Sequence, residues 1–162
     1  MEVLEEVKVS NIWFPFTQMQ GCREPIKIVK GDGTYLIDEN GKKYIDAISS
    51  WWVNLHGHSH PHIAKRTAEQ AATLEHVIFS DFVHEPALEL SERLLKYLPQ
   101  NQSKLFYSDN GSTSVEVALK LAIQYWYNKD QEKKKIVALK GAYHGDTMGG
   151  MSAADRTEFN KP

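Results

Sequence analysis

The spacing of apolar residues changes twice along this chain. From Ile26 to Ile48 apolar and polar positions alternate. Ile26-Lys27-Ile28-Val29-Lys30 reads as a strand, Thr34-Tyr35-Leu36-Ile37-Asp38 returns, and Lys42-Lys43-Tyr44-Ile45-Asp46-Ala47-Ile48 runs out again. Gly31-Asp32-Gly33 turns the first pair and Asp38-Glu39-Asn40-Gly41 the second, with Asn-Gly as the hairpin signal. This predicts a small antiparallel meander. From Pro61 the spacing becomes helical. A first helix is expected from Pro61 to Glu75, with proline near its first turn. An apolar linker, Val77 to Phe82, leads to a second helix from Pro86 to Leu98, ended by Pro99. Met1 to Ser10 reads as a mobile or weakly helical end.

From Lys104 the order is strand, helix, strand, turn. Leu105-Phe106-Tyr107 has the composition of a buried strand end. Val115 to Tyr127 is helical, with Val115, Ala118, Leu119, Ala122 and Trp126 on one face. Thr113 and Glu116 have capping-box spacing at its start. Ile136-Val137-Ala138-Leu139 is a second short β-prone run, after the charged linker Lys129 to Lys135. Such an alternation opens a largely parallel sheet with helices on its faces. There is no internal repeat.

Each of these strands leads into a glycine-bearing polar turn, Ser108 to Ser114 and Gly141 to Thr147. In open α/β sheets ligands sit at such carboxyl ends. A strand-to-helix turn aims unpaired N–H groups outward, and the helix dipole adds to their attraction for anions. Gly111 allows close approach, and Ser112, Thr113 and Ser114 add hydroxyls, so the first turn suits a phosphate. The same residues are also ordinary helix caps, and neither G-x-x-x-x-G-K-[ST] nor a complete G-x-G-x-x-G is present. The second turn offers an aromatic ring, an imidazole and a carboxylate in Tyr143, His144 and Asp146.

Two aromatic clusters stand out earlier. Ile12-Trp13-Phe14-Pro15-Phe16-Thr17 is a knot that either plugs a core or walls a pocket. In Ser49-Ser50-Trp51-Trp52 the adjacent tryptophans cannot share one face of a strand. The histidines at 56, 58, 60 and 62 invite a metal reading. However, they lie in a loop with glycine and proline, and no cysteine or carboxylate pattern completes a site, so no metal is expected.

Composition adds bounds. The 162 residues are 41% hydrophobic and 25% charged, enough for one globular core. The net charge of −2 is mixed along the chain, which speaks against a nucleic-acid surface or a membrane-binding basic face. No apolar run approaches the roughly 20 residues that span a bilayer. The acidic N-terminus lacks a signal-peptide layout. Cys22 is the single cysteine, so no internal disulfide forms. A cytoplasmic protein is expected.

Ser108-Asp109-Asn110-Gly111-Ser112-x-x-Val115-Glu116-x-Ala118-x-Lys120, followed by Gly141-x-Tyr143-His144-Gly145-Asp146-Thr147, resembles the class III aminotransferases. The resemblance implies an α/β fold of the fold-type I pyridoxal 5'-phosphate transferases. A small N-terminal antiparallel meander would precede the start of a large, mostly parallel α/β/α domain. It implies that 1–60 belong to the small domain and 61–162 begin the large one. By the same resemblance Gly111 and Ser112 bind the cofactor phosphate and Tyr143 lies beside the pyridine ring. Family members are homodimers with active sites at the interface. They are also longer than this chain, and their Schiff-base lysine falls beyond the position of Pro162. The chain is therefore expected to be an N-terminal part, inactive alone and without a catalytic residue of its own.

Trp13-Phe14-Pro15-Phe16-Thr17 with Ser49-Ser50-Trp51-Trp52 is similar to the branch of the family that acts in biotin synthesis. That branch implies 8-amino-7-oxononanoate as amino acceptor and S-adenosylmethionine as donor, with lysine as donor in some relatives. It implies that Trp51, Tyr143 and Phe16 contact substrate. Phe16 departs from the branch, which commonly has tyrosine there, so a hydroxyl is missing while the apolar wall remains. Another class III reaction, on an ω-amino acid or a diamine, stays open, as does a non-catalytic fragment or binding module.

Overall fold

The computed structural model describes residues 11–158, so the expectation for Met1 to Ser10 lies outside it. The chain divides into two compact units between Phe82 and Val83.

The first unit contains the meander. Strands β1 (Ile28–Asp32), β2 (Tyr35–Asp38) and β3 (Lys43–Ile45) form an antiparallel sheet in the order β1-β2-β3. Asp32 pairs with Tyr35, so the first hairpin turns on two residues, Gly33 and Thr34. Gly33 takes φ +57°, which glycine adopts without steric cost. Leu36 pairs with Tyr44 across β2 and β3. Their connection places Gly41 at φ +79°. It is held by Asp38, whose Oδ1 accepts the N–H groups of Asn40 and Lys42, both at 2.9 Å, and whose Oδ2 accepts the Tyr44 hydroxyl at 3.0 Å. These three bonds satisfy a carboxylate that is buried.

After the sheet comes a single turn, α1 (Ser49–Trp52), and then helix α2 (Pro61–Thr73). Pro61 sits in the first turn of α2, where its missing N–H costs no hydrogen bond.

The second unit holds α3 (Glu85–Leu95), α4 (Gly111–Tyr127) and α5 (Met148–Ala153). His84 caps α3 by accepting the Ala87 N–H on Nδ1. Ala87 is the buried apolar residue among those described, and its carbonyl accepts the Tyr107 hydroxyl at 2.7 Å.

Two expectations are corrected here. Leu105–Tyr107 and Ile136–Leu139 are not strands. A strand exists only where a neighbour completes its hydrogen-bond ladder, and the described residues supply no such neighbour. Their side chains lie open: Phe106 is 70% exposed and Val137 95%. Nor does α4 begin at Val115 with a Thr113/Glu116 box. It begins at Gly111. Asn110 is extended, its side chain accepts the Thr113 N–H at 3.0 Å, and Thr113 Oγ1 accepts the Asn110 N–H at 3.3 Å. The capping box is therefore Asn110/Thr113, one turn earlier.

Candidate functional site

The earlier start of α4 decides which N–H groups are free. The first four N–H groups of a helix have no intrahelical acceptor. At α4 the capping box occupies those of Asn110 and Thr113, leaving those of Gly111 and Ser112 at the positive end of the helix. A Cβ built on Gly111 would meet nothing within 4 Å, so a ligand can approach the backbone there. Just before the helix, the Thr113 hydroxyl donates to Asp109 at 2.7 Å and holds that carboxyl below its ordinary pKa.

The second turn closes onto the first. The Asp146 N–H donates to Ser112 Oγ at 3.0 Å. Ser112 Oγ thus uses a lone pair on the turn and keeps its own proton for another acceptor. The Asp146 carboxylate accepts the Tyr143 hydroxyl at 2.8 Å, which, with some burial, pushes the phenol pKa above 10 and keeps it protonated. Gly145, at φ +110°, lies against Ser112 so closely that a Cβ would come within 2.7 Å of Ser112 Cα. Glu116 ties the same region to α5. Its Oε1 accepts the Gly149 N–H at 2.5 Å, and with Thr147 and Gly150 this draws its pKa down. Ser112 and Tyr143 are therefore joined through one residue, Asp146. The chemistry on offer is anion binding beside an exposed aromatic ring.

In the first unit the aromatic residues also meet. Phe16 and Trp51 make an edge-to-face contact with centroids 5.4 Å apart. Both are more than half exposed. Trp51 and Trp52 belong to a turn of unusual hand. The residues Ser49, Ser50, Trp51 and Trp52 have φ of 49°, 48°, 61° and 66°. Left-handed backbone costs about 1–2 kcal/mol per residue for side chains of ordinary chirality. Hydrogen bonds offset that cost: Trp52 N–H to Ile48 O at 2.8 Å, Asn54 N–H to Ser49 O at 3.1 Å, and two from Ser50 to Asp46. The Ser50 N–H, then its hydroxyl, then His58 pull the Asp46 pKa to about 2.

The histidine run is divided. His58 bonds to Asp46, and the rings of His56 and His60 touch with centroids 6.1 Å apart. Among the described residues no three histidine, cysteine or carboxylate side chains gather to hold a metal. No described helix is long and apolar enough to cross a membrane.

The structure brings Ser112 close to the turn of Tyr143, and Phe16 to Trp51. Sequence reasoning did not single out Asp46 or the clip from Glu116. Asp46 sits four residues before Ser50, a spacing compatible with a side-chain bond to that N–H, but nothing in the sequence marks the left-handed turn. Glu116 has the spacing of a cap and is used elsewhere.

Residues 18–161 match the model of the family described as aminotransferase class III. The chain is 55% identical over 152 residues to adenosylmethionine-8-amino-7-oxononanoate aminotransferase of Synechococcus elongatus, covering 94% of this chain and 36% of that protein. It is 44% identical to the Staphylococcus aureus protein of the same name, over 98% of this chain and 36% of the other. Among solved structures, the Methanocaldococcus jannaschii protein of that name superimposes with a TM-score of 0.83 at 38% identity, over 90% of this chain and 34% of that one. An amine transaminase from an uncultivated Pseudomonas species, solved with pyridoxal phosphate bound, gives a TM-score of 0.83 at 28% identity, over 93% and 35%. The fold is thus that of the fold-type I transaminases. The chain spans about a third of the length of the curated relatives it matches.

Proposed function

The chain belongs to the class III aminotransferase family, and we propose that the complete protein transfers an amino group to 8-amino-7-oxononanoate, giving 7,8-diaminononanoate for biotin synthesis. S-adenosylmethionine is the proposed donor. Support for the substrate pair comes from the relatives' names at 55% and 44% identity. Support for the residues comes from the geometry, and one observation carries it. At the start of α4 the N–H groups of Gly111 and Ser112 have no acceptor within the helix, the Ser112 hydroxyl keeps a proton to donate, and the same serine is bonded to the turn that carries Tyr143.

That set fits the phosphate of pyridoxal 5'-phosphate. Gly111 offers its N–H and open space, Ser112 its N–H and hydroxyl, and the helix dipole favours the dianion. Tyr143 would lie beside the pyridine ring and contact substrate. When bound, the cofactor supplies the electron sink and carries the nitrogen between donor and acceptor. The chain's own residues bind and orient. The Tyr143 phenol stays protonated through its bond to Asp146 and can donate or pack, but does not act as a base near neutrality. Trp51 and Phe16 form an apolar wall suited to the hydrocarbon chain of the oxo acid.

In this reading 1–60 belong to the small domain and 61–162 begin the large, cofactor-binding one. The lysine that bears the cofactor lies outside these residues, and the chain alone is inactive. The protein acts as a cytoplasmic homodimer. These statements rest on the family resemblance.

The test uses the full-length protein loaded with pyridoxal phosphate. S-adenosylmethionine alone should shift the cofactor absorbance from the aldehyde-derived form to the amine form. A shift with lysine or another amine, and none with S-adenosylmethionine, would move the donor assignment. No cofactor absorbance at all would overturn the enzyme reading.

A further inference from the structure

A substrate wall needs a fixed position, and the left-handed turn gives Trp51 none of its own. Four consecutive positive φ values, with no glycine among them, do not persist without outside support. Besides the Trp52–Ile48 and Asn54–Ser49 backbone bonds, that support converges on one carboxylate. Asp46 Oδ1 accepts the Ser50 N–H at 3.0 Å, and Oδ2 accepts the Ser50 hydroxyl at 2.7 Å. The same Oδ2 accepts from His58 Nε2 at 2.8 Å. The Asp46 main chain is held as well: its N–H donates to Thr34 O at 2.9 Å, and its carbonyl accepts the Ser49 N–H at 3.2 Å.

His58 is anchored on the hairpin. It exchanges two backbone bonds with Gly33, at 2.7 and 3.2 Å. Its side chain packs over Gly31, where an added Cβ would come within 2.6 Å of His58 Cβ. The Asp46 and His58 side chains are 7% and 14% exposed, whereas Trp51 is 54% exposed. A shielded polar line therefore runs from the hairpin tip through His58, Asp46 and Ser50 to an open indole.

We propose that Asp46 is a positioning residue that sets the specificity of this site for the oxo acid. It holds the Ser50–Trp51 backbone in its left-handed form and so keeps the Trp51 ring where the apolar chain of the substrate lies. This rests on the reading of Trp51 as a substrate wall. The role is that of a mount for the wall: the bonds of Asp46 run to Thr34, Ser49, Ser50 and His58. The small sheet then serves as the mount for a substrate contact, and the histidine run contributes an anchor instead of metal ligands.

The experiment is a double-mutant cycle in the full-length holoenzyme, with Asp46→Ala, Trp51→Ala and both together. Asp46→Ala should raise KM for the oxo acid about tenfold while kcat and cofactor affinity change less than about threefold. In the Trp51→Ala background, Asp46→Ala should add less than about twofold. Equal effects of Asp46→Ala with and without Trp51 would overturn the proposal, as would an unchanged KM. An unchanged KM in Trp51→Ala would instead sink the wall reading, and this inference with it. If Asp46→Ala does not fold, Ser50→Ala removes only the 2.7 Å bond and completes the same cycle, with a KM increase that must again vanish without Trp51.

Discussion

The backbone N–H of Asp146 donates to the side-chain oxygen of Ser112 at 3.0 Å, across 34 positions of sequence. Because the serine oxygen accepts this bond, its own proton stays available to a second acceptor. Ser112→Ala removes an acceptor from Asp146 and a donor from the proposed phosphate. A hydrogen bond to a charged group contributes about 1.5–3 kcal/mol, so pyridoxal phosphate should bind roughly 10- to 100-fold more weakly. Spectroscopic titration of the full-length apoprotein measures this. An unchanged affinity would remove Ser112 from the phosphate set.

Gly111 and Gly145 should respond differently to the same substitution. Gly145→Ala places a methyl within 2.7 Å of Ser112 Cα at a φ of +110°. Stability should fall by about 1–3 kcal/mol or more from overpacking. Gly111→Ala meets open space and ordinary helical backbone. Its stability change should stay within about 0.5 kcal/mol, while cofactor affinity falls because the close approach is blocked. Urea midpoints and cofactor titrations of both variants separate the two effects. Equal stability losses would contradict the packing described for Gly145.

Glu116 should hold α4 to α5 only as a carboxylate. Its pKa is lowered by the Gly149 N–H above all, so its contribution is present above the unfolded-state pKa, about 4.5. That contribution disappears as pH falls through the lower folded-state value. At neutral pH, Glu116→Ala should speed amide hydrogen exchange at Gly149 and Gly150 while leaving exchange in β1–β3 unchanged. Unaltered exchange at both glycines would show that the clip is unimportant.

Asp46 gives a second acid-sensitive contact. Its pKa falls from an ordinary 3.8 to about 2, first through the Ser50 N–H. The stabilisation should therefore be complete above about pH 4 and lost between there and about pH 2. Over that window the unfolding midpoint of the unsubstituted protein should decline more steeply than that of Asp46→Ala. Above about pH 5 the gap between them should be constant. Parallel curves through the acid range would mean that Asp46 is not a bonded carboxylate in the folded protein.

Elements set by local periodicity were legible in the sequence. The meander, α2 and α3 lie where alternation and helical spacing place them, with ends differing by a few residues. The start of α4 was misread because Asn110-x-x-Thr113 and Thr113-x-x-Glu116 have the same spacing. The extended Asn110 decides between them. Leu105–Tyr107 and Ile136–Leu139 were read as strands from composition, but pairing is a property of neighbours and cannot be read from one segment. The ring contact between Phe16 and Trp51 had no signal in the sequence, where family likeness implied only that each contacts substrate. The left-handed turn was illegible because Ser-Ser-Trp-Trp carries no glycine, and its conformation is maintained by Asp46 and the distant His58.

The open run Ile136–Leu139 bears on how copies of the chain meet, since Val137 and Leu139 are 95% and 80% exposed. A short, β-prone apolar segment with free edges can template the addition of the same segment from another molecule. Here it is bracketed by Lys133, Lys134 and Lys135 on one side and Lys140 on the other. Stacking two copies in register would bring like charges together at both ends. Flanking charges of this kind disfavour the addition of one such segment to another.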